Sequence, residues 1–202
     1  MKIKWLLYDI KKRIQNYRLV KKYPWLHPTA WSKDSNGEYE EVRDPNYKYE
    51  YIRLFTDMPG WWKAFGKIFC DEIQEEFHNC PDLYVLEEKE KWGGLRISFA
   101  NANKKIMEIC DKFEQISHNI CFFCGCEAPM TNSGYYLPMC KKCYEERRWG
   151  TKPYSQVVCE GDSGKLPDYY TVRYFRDGVT EDAIINISKT VKKIRGNYAK
   201  NK

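Results

Sequence analysis

The chain has 202 residues, 43% of them hydrophobic and 16% aromatic, which is enough apolar surface for one sizeable packed domain with an insert or for two small ones. No apolar run approaches membrane-spanning length, and the run WLLYDI is too short for a signal peptide and is interrupted by Asp9, so a cytoplasmic chain is expected. The net charge of +6 is segregated: residues 1–22 hold +7 and residues 189–202 hold +6, which leaves −7 on the body between them. A basic end can track phosphates or simply form a solvated helix face, whereas an acidic body is attracted to proteins that themselves bind nucleic acid.

In chain order, KIKWLLYDIKKRIQNYRLVKK places Ile3, Leu6 or Leu7, Ile10, Ile14 and Tyr17 at helical spacing with lysines and arginines around them. The stripe is expected to pack on its own domain, with a membrane-surface role as the alternative. From Tyr23 to Tyr51 the periodicity dissolves into prolines, an SNGEYEE turn and tyrosines, so a loop-rich connector with one short hairpin around Asn36-Gly37 is expected. The stretch DMPGWWKAFGKIFCDEIQEEFHN then reads as a helix over 59–79. Asp57 is its expected cap, Pro59 lies in its first turn, and Trp62, Phe65, Phe69, Ile73 and Phe77 share one face. Its outer face carries Asp71, Glu72, Glu75 and Glu76, a compact acidic patch.

LYVLEEKEKWGGLRISFA reads as a hairpin over 83–100 that turns at Gly93-Gly94. Glu87, Glu88 and Glu90 alternate with lysines there, the pattern of a solvent-facing strand that makes ion pairs with Lys89 and Arg96. A second helix is expected over 102–119 through Ile106, Ile109, Phe113 and Ile116. The C-terminal third predicts a strand DYYTVRYF, a turn at Asp177-Gly178, and a helix from about Glu181 to Arg195 capped by Thr180.

Between the second helix and that last third lies ICFFCGCEAPMTNSGYYLPMCKKC, with the pairs Cys121/Cys124 and Cys140/Cys143 flanking fifteen residues that include no histidine. Two residues between thiolates let a tight knuckle aim both sulfurs at one tetrahedral ion, so the spacing predicts a four-cysteine zinc site, structural because four thiolates close the coordination shell. Gly125 follows the first pair, where a knuckle needs a permissive backbone. Five cysteines remain: Cys70, Cys80, Cys110, Cys126 and Cys159; Cys126 and His118 are the alternative ligands. The expected segments are a basic helix and loop-rich stretch over 1–50, a helix–hairpin–helix core over 51–119, a zinc module over 120–150 and a strand–helix extension over 151–202. The fold class is α+β, helices on a small antiparallel sheet with the zinc module attached.

Catalysis finds little support. A His-Asn-His endonuclease keeps histidines between or near such cysteine pairs, but His27, His78 and His118 all lie outside them. Gly93-Gly94 and Gly60 do not make a phosphate-binding loop, and no serine or cysteine has a histidine placed to activate it. No enzyme is expected. Nucleic-acid binding through the module is the serious rival, because Lys141, Lys142, Arg147 and Arg148 adjoin Tyr135, Tyr136 and Trp149, although Glu127, Glu145 and Glu146 dilute the patch.

The run DMPGWWKAFGKIFCDEI, followed by LEEKEKWGGLRISF and a Cys-x2-Cys-Gly knuckle, resembles a group of small zinc-knuckle proteins of bacteriophages and prophages that has no established activity. The likeness covers roughly residues 50–146 and implies Cys121, Cys124, Cys140 and Cys143 as metal ligands. Accessory proteins of this kind often inhibit host defence, and the chain is similar in outline to zinc-binding anti-CRISPR proteins that block a type II Cas nuclease. That resemblance implies life in a bacterial cytoplasm and a host nucleic-acid-handling protein as partner, with no membrane partner. It would be held by Asp71, Glu72, Glu75, Glu76, Glu87, Glu88 and Glu90, because such nucleases present basic surface.

Overall fold

A computed structural model describes residues 2–27, 29–43, 52, 57–132, 136–147, 189–196 and 199. The fold is α+β: helices combine with small antiparallel two-stranded sheets, and the chain carries a four-cysteine cluster.

Helix α1 (Lys2–Lys22) ends where the Tyr23 N–H donates to the Leu19 carbonyl at 2.7 Å, and the 3-10 turn Pro24–Leu26 then buries Trp25 and Leu26. These anchors fix the helix's rotation. Asn16 and Val20 turn inward, while Leu6, Leu7, Ile10, Ile14 and Tyr17 are exposed. The expected packing of that stripe on its own domain is therefore corrected, because the anchored C-terminal end docks through Asn16, Leu19 and Val20 instead.

Strands β1 (Thr29–Lys33) and β2 (Tyr39–Arg43) form the hairpin expected around Asn36-Gly37, closed by the Asp34 carboxylate, which accepts from the backbone N–H groups of Asn36 and Glu38 at 2.8 and 2.9 Å. Helix α2 begins as Pro59–Trp61, passes through a π-helical turn at Trp62–Gly66, continues as Lys67–Glu76 and closes with a 3-10 turn at Phe77–Asn79. The π turn inserts an extra residue into the spiral and shifts its phase. As a result Trp61 is fully buried and Trp62 only in part, the reverse of the expected face, while Phe65, Phe69 and Ile73 are buried as expected.

Strands β3 (Tyr84–Lys91) and β4 (Gly94–Ala100) pair antiparallel with Lys91 opposite Gly94. The turn is thus Trp92-Gly93, one residue earlier than expected, with φ of 55° and 77°. A two-residue hairpin turn needs this left-handed pair to match the strand twist, and the Gly93 N–H is fastened to Glu90 Oε1 at 2.6 Å. Helix α3 (Lys104–Ser117) is capped by Asn103, whose side chain accepts from the Ile106 N–H at 3.0 Å, and it buries Ile106, Ile109, Phe113 and Ile116. The Ser117 hydroxyl accepts from the Leu95 N–H at 2.8 Å, which ties β4 to α3.

The main core joins these elements. Trp25 and Phe113 both meet Phe69 edge-on, at centroid distances of 6.1 and 5.3 Å. Leu95 is buried, and Ile97 and Phe99 are half-buried against the cluster. Beyond α3 come β5 (Met130–Asn132), β6 (Tyr136–Pro138), α4 (Lys141–Arg147) and a final helix α5 over 189–196. α5 adds Val191 and Ile194 to the core. The expected strand DYYTVRYF, the Asp177-Gly178 turn, the Thr180 cap and Cys159 lie outside the described residues.

Candidate metal centre

Two knuckles and a hairpin build the site. The first knuckle folds because Cys121 N–H donates to the Cys126 carbonyl at 2.7 Å and Gly125 N–H to the Cys121 carbonyl at 3.0 Å. The β5–β6 hairpin carries the second pair back: Phe122 N–H donates to the Pro138 carbonyl at 2.9 Å, and Met139 N–H to the Pro129 carbonyl at 3.1 Å. Cys140 precedes α4 and Cys143 lies on it, its N–H donating to Cys140 Sγ at 3.4 Å, as a knuckle requires.

The four sulfurs of Cys121, Cys124, Cys140 and Cys143 all lie within 4.8 Å of one another, the group expected from the spacing. A tetrahedral ion about 2.3 Å from each sulfur needs sulfurs about 3.8 Å apart. Cys124 and Cys140 are 3.8 Å apart. Hydrogen bonds from Cys124 and Cys126 push the Cys121 thiol down despite its burial, whereas the Cys121 sulfur beside Cys124 and the burial of Cys143 push those two thiols up. The arrangement can hold a metal ion, and with four thiolates it leaves no position open for water or substrate.

The alternative ligands part company. Cys126 stays beside the centre, its sulfur 3.3 Å from that of Cys124, but lies outside the four-sulfur group. His118 turns away, its ring against Gly94, where an added Cβ would meet Nε2 at 2.9 Å. Burial, reinforced by the nearby Arg96 cation, pushes the His118 pKa from 6.5 down to about 4. The folded protein therefore keeps this ring neutral where the unfolded chain takes up a proton. Stability should fall by roughly 3 kcal/mol as pH drops from 6.5 toward 4, and a His118→Gln chain should lose that slope. Denaturant midpoints on either side of the window check it.

The module is fastened to the start of α2. Met58, not Asp57, holds the N-cap position and offers no side-chain cap. Instead Phe122 supplies its carbonyl to the Gly60 N–H at 2.8 Å, and the Trp61 indole donates to the Ile120 carbonyl at 2.9 Å. Backbone meets backbone here: a Cβ on Gly60 would collide with the Cys121 carbonyl oxygen and sit 2.5 Å from that of Phe122. Gly125, at φ 79°, faces it from the other side, and a Cβ there would lie 2.6 Å from the Gly60 carbonyl oxygen. Gly60→Ala should therefore cost about 3 kcal/mol or more in thermal or chemical unfolding, far beyond the effect of Gly→Ala in an open helix. Sequence alone marks Gly60 only as a helix start; its partner sixty-odd residues on is invisible to local pattern.

The acidic residues do not form a bare face. Burial opposes the charge on Asp71, but Lys22 at 2.8 Å, Lys67 at 2.7 Å and the Tyr23 hydroxyl at 2.6 Å outweigh it and hold the carboxyl well below the usual range. Glu72 pairs with Lys112 and accepts from the Thr190 hydroxyl at 3.4 Å. Glu76 takes side-chain amide donors from Asn103 and Asn79, both at 2.8 Å, which lower its pKa. Glu72, Glu75 and Glu76 line an open cleft of about 530 Å³ together with Lys105, Lys112, Lys189, Lys192 and Lys193. On β3, Glu88 is 8% exposed, a correction to the expected solvent-facing strand; Glu87 pairs with its neighbour Lys89 at 2.5 Å, and Arg96 reaches Glu114 on α3 at 2.8 Å. Lys67 is a local partner four residues from Asp71, but Lys22 and Lys112 come from distant segments, so the local charge pattern could not show them.

No helix among the described residues is long and apolar enough to cross a membrane. No protein-family model, curated protein or solved structure matches the chain.

Proposed function

We propose that the chain is a non-enzymatic zinc protein of phage or prophage type that binds and inhibits a host defence protein, with a type II CRISPR Cas nuclease as the candidate partner. Zinc suits four convergent thiolates, and with its shell closed it serves as a staple. The observation that carries the binding role is Trp92. It is 70% exposed at the hairpin tip and is held at φ 55°, a backbone region costly for a bulky residue. An indole kept in the open at such a position is the kind of anchor on which protein interfaces concentrate their energy.

The charges that share its hairpin, and the paired lysines of the zinc module, favour a protein over a phosphate backbone. Glu87 and Glu90 share the hairpin with Trp92, and Arg96 is engaged by Glu114. On α4, Lys141 and Lys142 lie 3.8 and 3.9 Å from Glu145 and Glu146. Glu75 on α2 adds an exposed carboxylate for a basic partner surface. The test is a nuclease cleavage assay with and without the chain, together with a pull-down from a CRISPR-bearing host. Inhibition should be relieved by Trp92→Ala and weakened by Glu75→Lys with Glu87→Lys, with melting temperature unchanged. If the nuclease cuts at full rate while the chain shifts bare DNA in a salt-dependent way, the zinc-module nucleic-acid binder is correct instead.

A further inference from the structure

We propose that α1 is an interfacial helix whose exposed arc rests on an anionic lipid surface, leaving the body attached behind it. The inference rests on how α1 is docked and is independent of the partner reading above. On a helix of 3.6 residues per turn, Leu6, Tyr17, Ile10, Ile14 and Leu7 fall within an arc of about 100°. All five are exposed, Leu6 and Leu7 by 59% and 62%. The side that meets the body is centred on Asn16 and Val20, about 110° round the helix from the middle of that arc. Contact through the arc therefore needs no undocking.

The charges around the arc select its occupant. Lys11 and Arg18 are exposed along one border, Arg13 stands at the other, and Lys21 closes the C-terminal end. The helix's single carboxylate, Asp9, is engaged by Arg13 at 2.7 Å on the body-facing side. A second copy would bring another helix of the same strong positive charge against the first, so a symmetric α1–α1 seam sets cation against cation. A nucleic acid would use the lysines and leave Leu6, Ile10 and Ile14 in water. An anionic bilayer uses both sets: acyl chains take the aliphatic arc, and headgroup phosphates take the lysines and arginines on its rim.

Co-flotation of the full chain with phosphatidylcholine vesicles, with and without phosphatidylglycerol, tests this. Binding should be at least about tenfold stronger to the anionic vesicles. It should be lost in Ile10→Glu/Ile14→Glu and reduced in Lys11→Glu/Arg18→Glu, while both double variants keep the wild-type melting temperature because these side chains already face water. Absence of binding to anionic vesicles overturns the proposal. So does a lowered melting temperature in Ile10→Glu/Ile14→Glu, which would mean that another part of the chain covers the arc. A dimer in sedimentation that this variant dissociates would assign the arc to a second copy instead.

Discussion

A Cys140→Ser chain is expected to bind no zinc after purification and to lose the fold of residues 120–146, while Cys126→Ser keeps both. The reason is the size of what remains without metal. The module's own apolar cluster buries Cys121, Ala128, Leu137, Met139, Cys143 and Tyr144, two of them ligands, with Phe122, Phe123, Cys124, Cys126 and Cys140 only partly buried against it. So few side chains cannot offset the ordering entropy of the segment, whereas a structural zinc site contributes on the order of 10 kcal/mol to folding a module of this kind. The helical body has a separate core and should survive, so the loss is local. Metal analysis and limited proteolysis read the two halves of this expectation: no zinc, and cleavage confined to the knuckle region. A Cys140→Ser protein that keeps its metal and its protease resistance would refute the four-thiolate site. Retention by Cys126→Ser matters equally, because that sulfur lies 3.3 Å from a ligand and a swap is sterically close at hand.

Phe69→Ala is expected to destabilise the body by roughly 3–5 kcal/mol. The ring is fully buried and meets two distant parts of the chain edge-on, Trp25 after α1 and Phe113 on α3, and Phe113 in turn packs on Phe65 of α2. Truncation leaves a cavity that aromatic neighbours cannot collapse to fill, because their own edge-on contacts hold them in place. Denaturant unfolding measures the loss. A change below about 1 kcal/mol would mean that α2 does not lie in the core as described. The zinc content of this variant should be normal, which separates a core defect from a module defect.

The elements most legible in the sequence are those with local causes. Ile106, Ile109, Phe113 and Ile116 carry a 3.6-residue stripe within one segment, and α3 forms inside the span they predict. The cysteine spacing likewise contains its own geometry, since each pair needs only a knuckle and the hairpin between them supplies the return. What local pattern hides is phase and long-range charge. Nothing in DMPGWWKAFG distinguishes an α turn from the π turn that buries Trp61 in place of Trp62; the deciding contact is an indole hydrogen bond to Ile120. The acidic patch reads as open because two of its cations, Lys22 and Lys112, lie 49 and 40 residues from Asp71 and Glu72, and only Lys67 is a local partner. The N-terminal stripe misleads for a related reason: periodicity locates an apolar face, but Val20, Tyr23 and Trp25 decide which way that face points.

The carbonyl of Phe122 that accepts from the Gly60 N–H makes the metal centre part of the first turn of α2. That amide then becomes a clock for the site. While the knuckle is closed the Gly60 proton is shielded, and each opening of the knuckle hands it to solvent, so its exchange rate should report how often the cluster lets go. Amides deeper in α2, such as those of Phe69 and Ile73, depend on the body's own packing and should exchange on a slower schedule. Adding a chelator should therefore speed the first proton and leave the deeper ones unchanged, a separation in time that marks where one cooperative unit ends and the next begins.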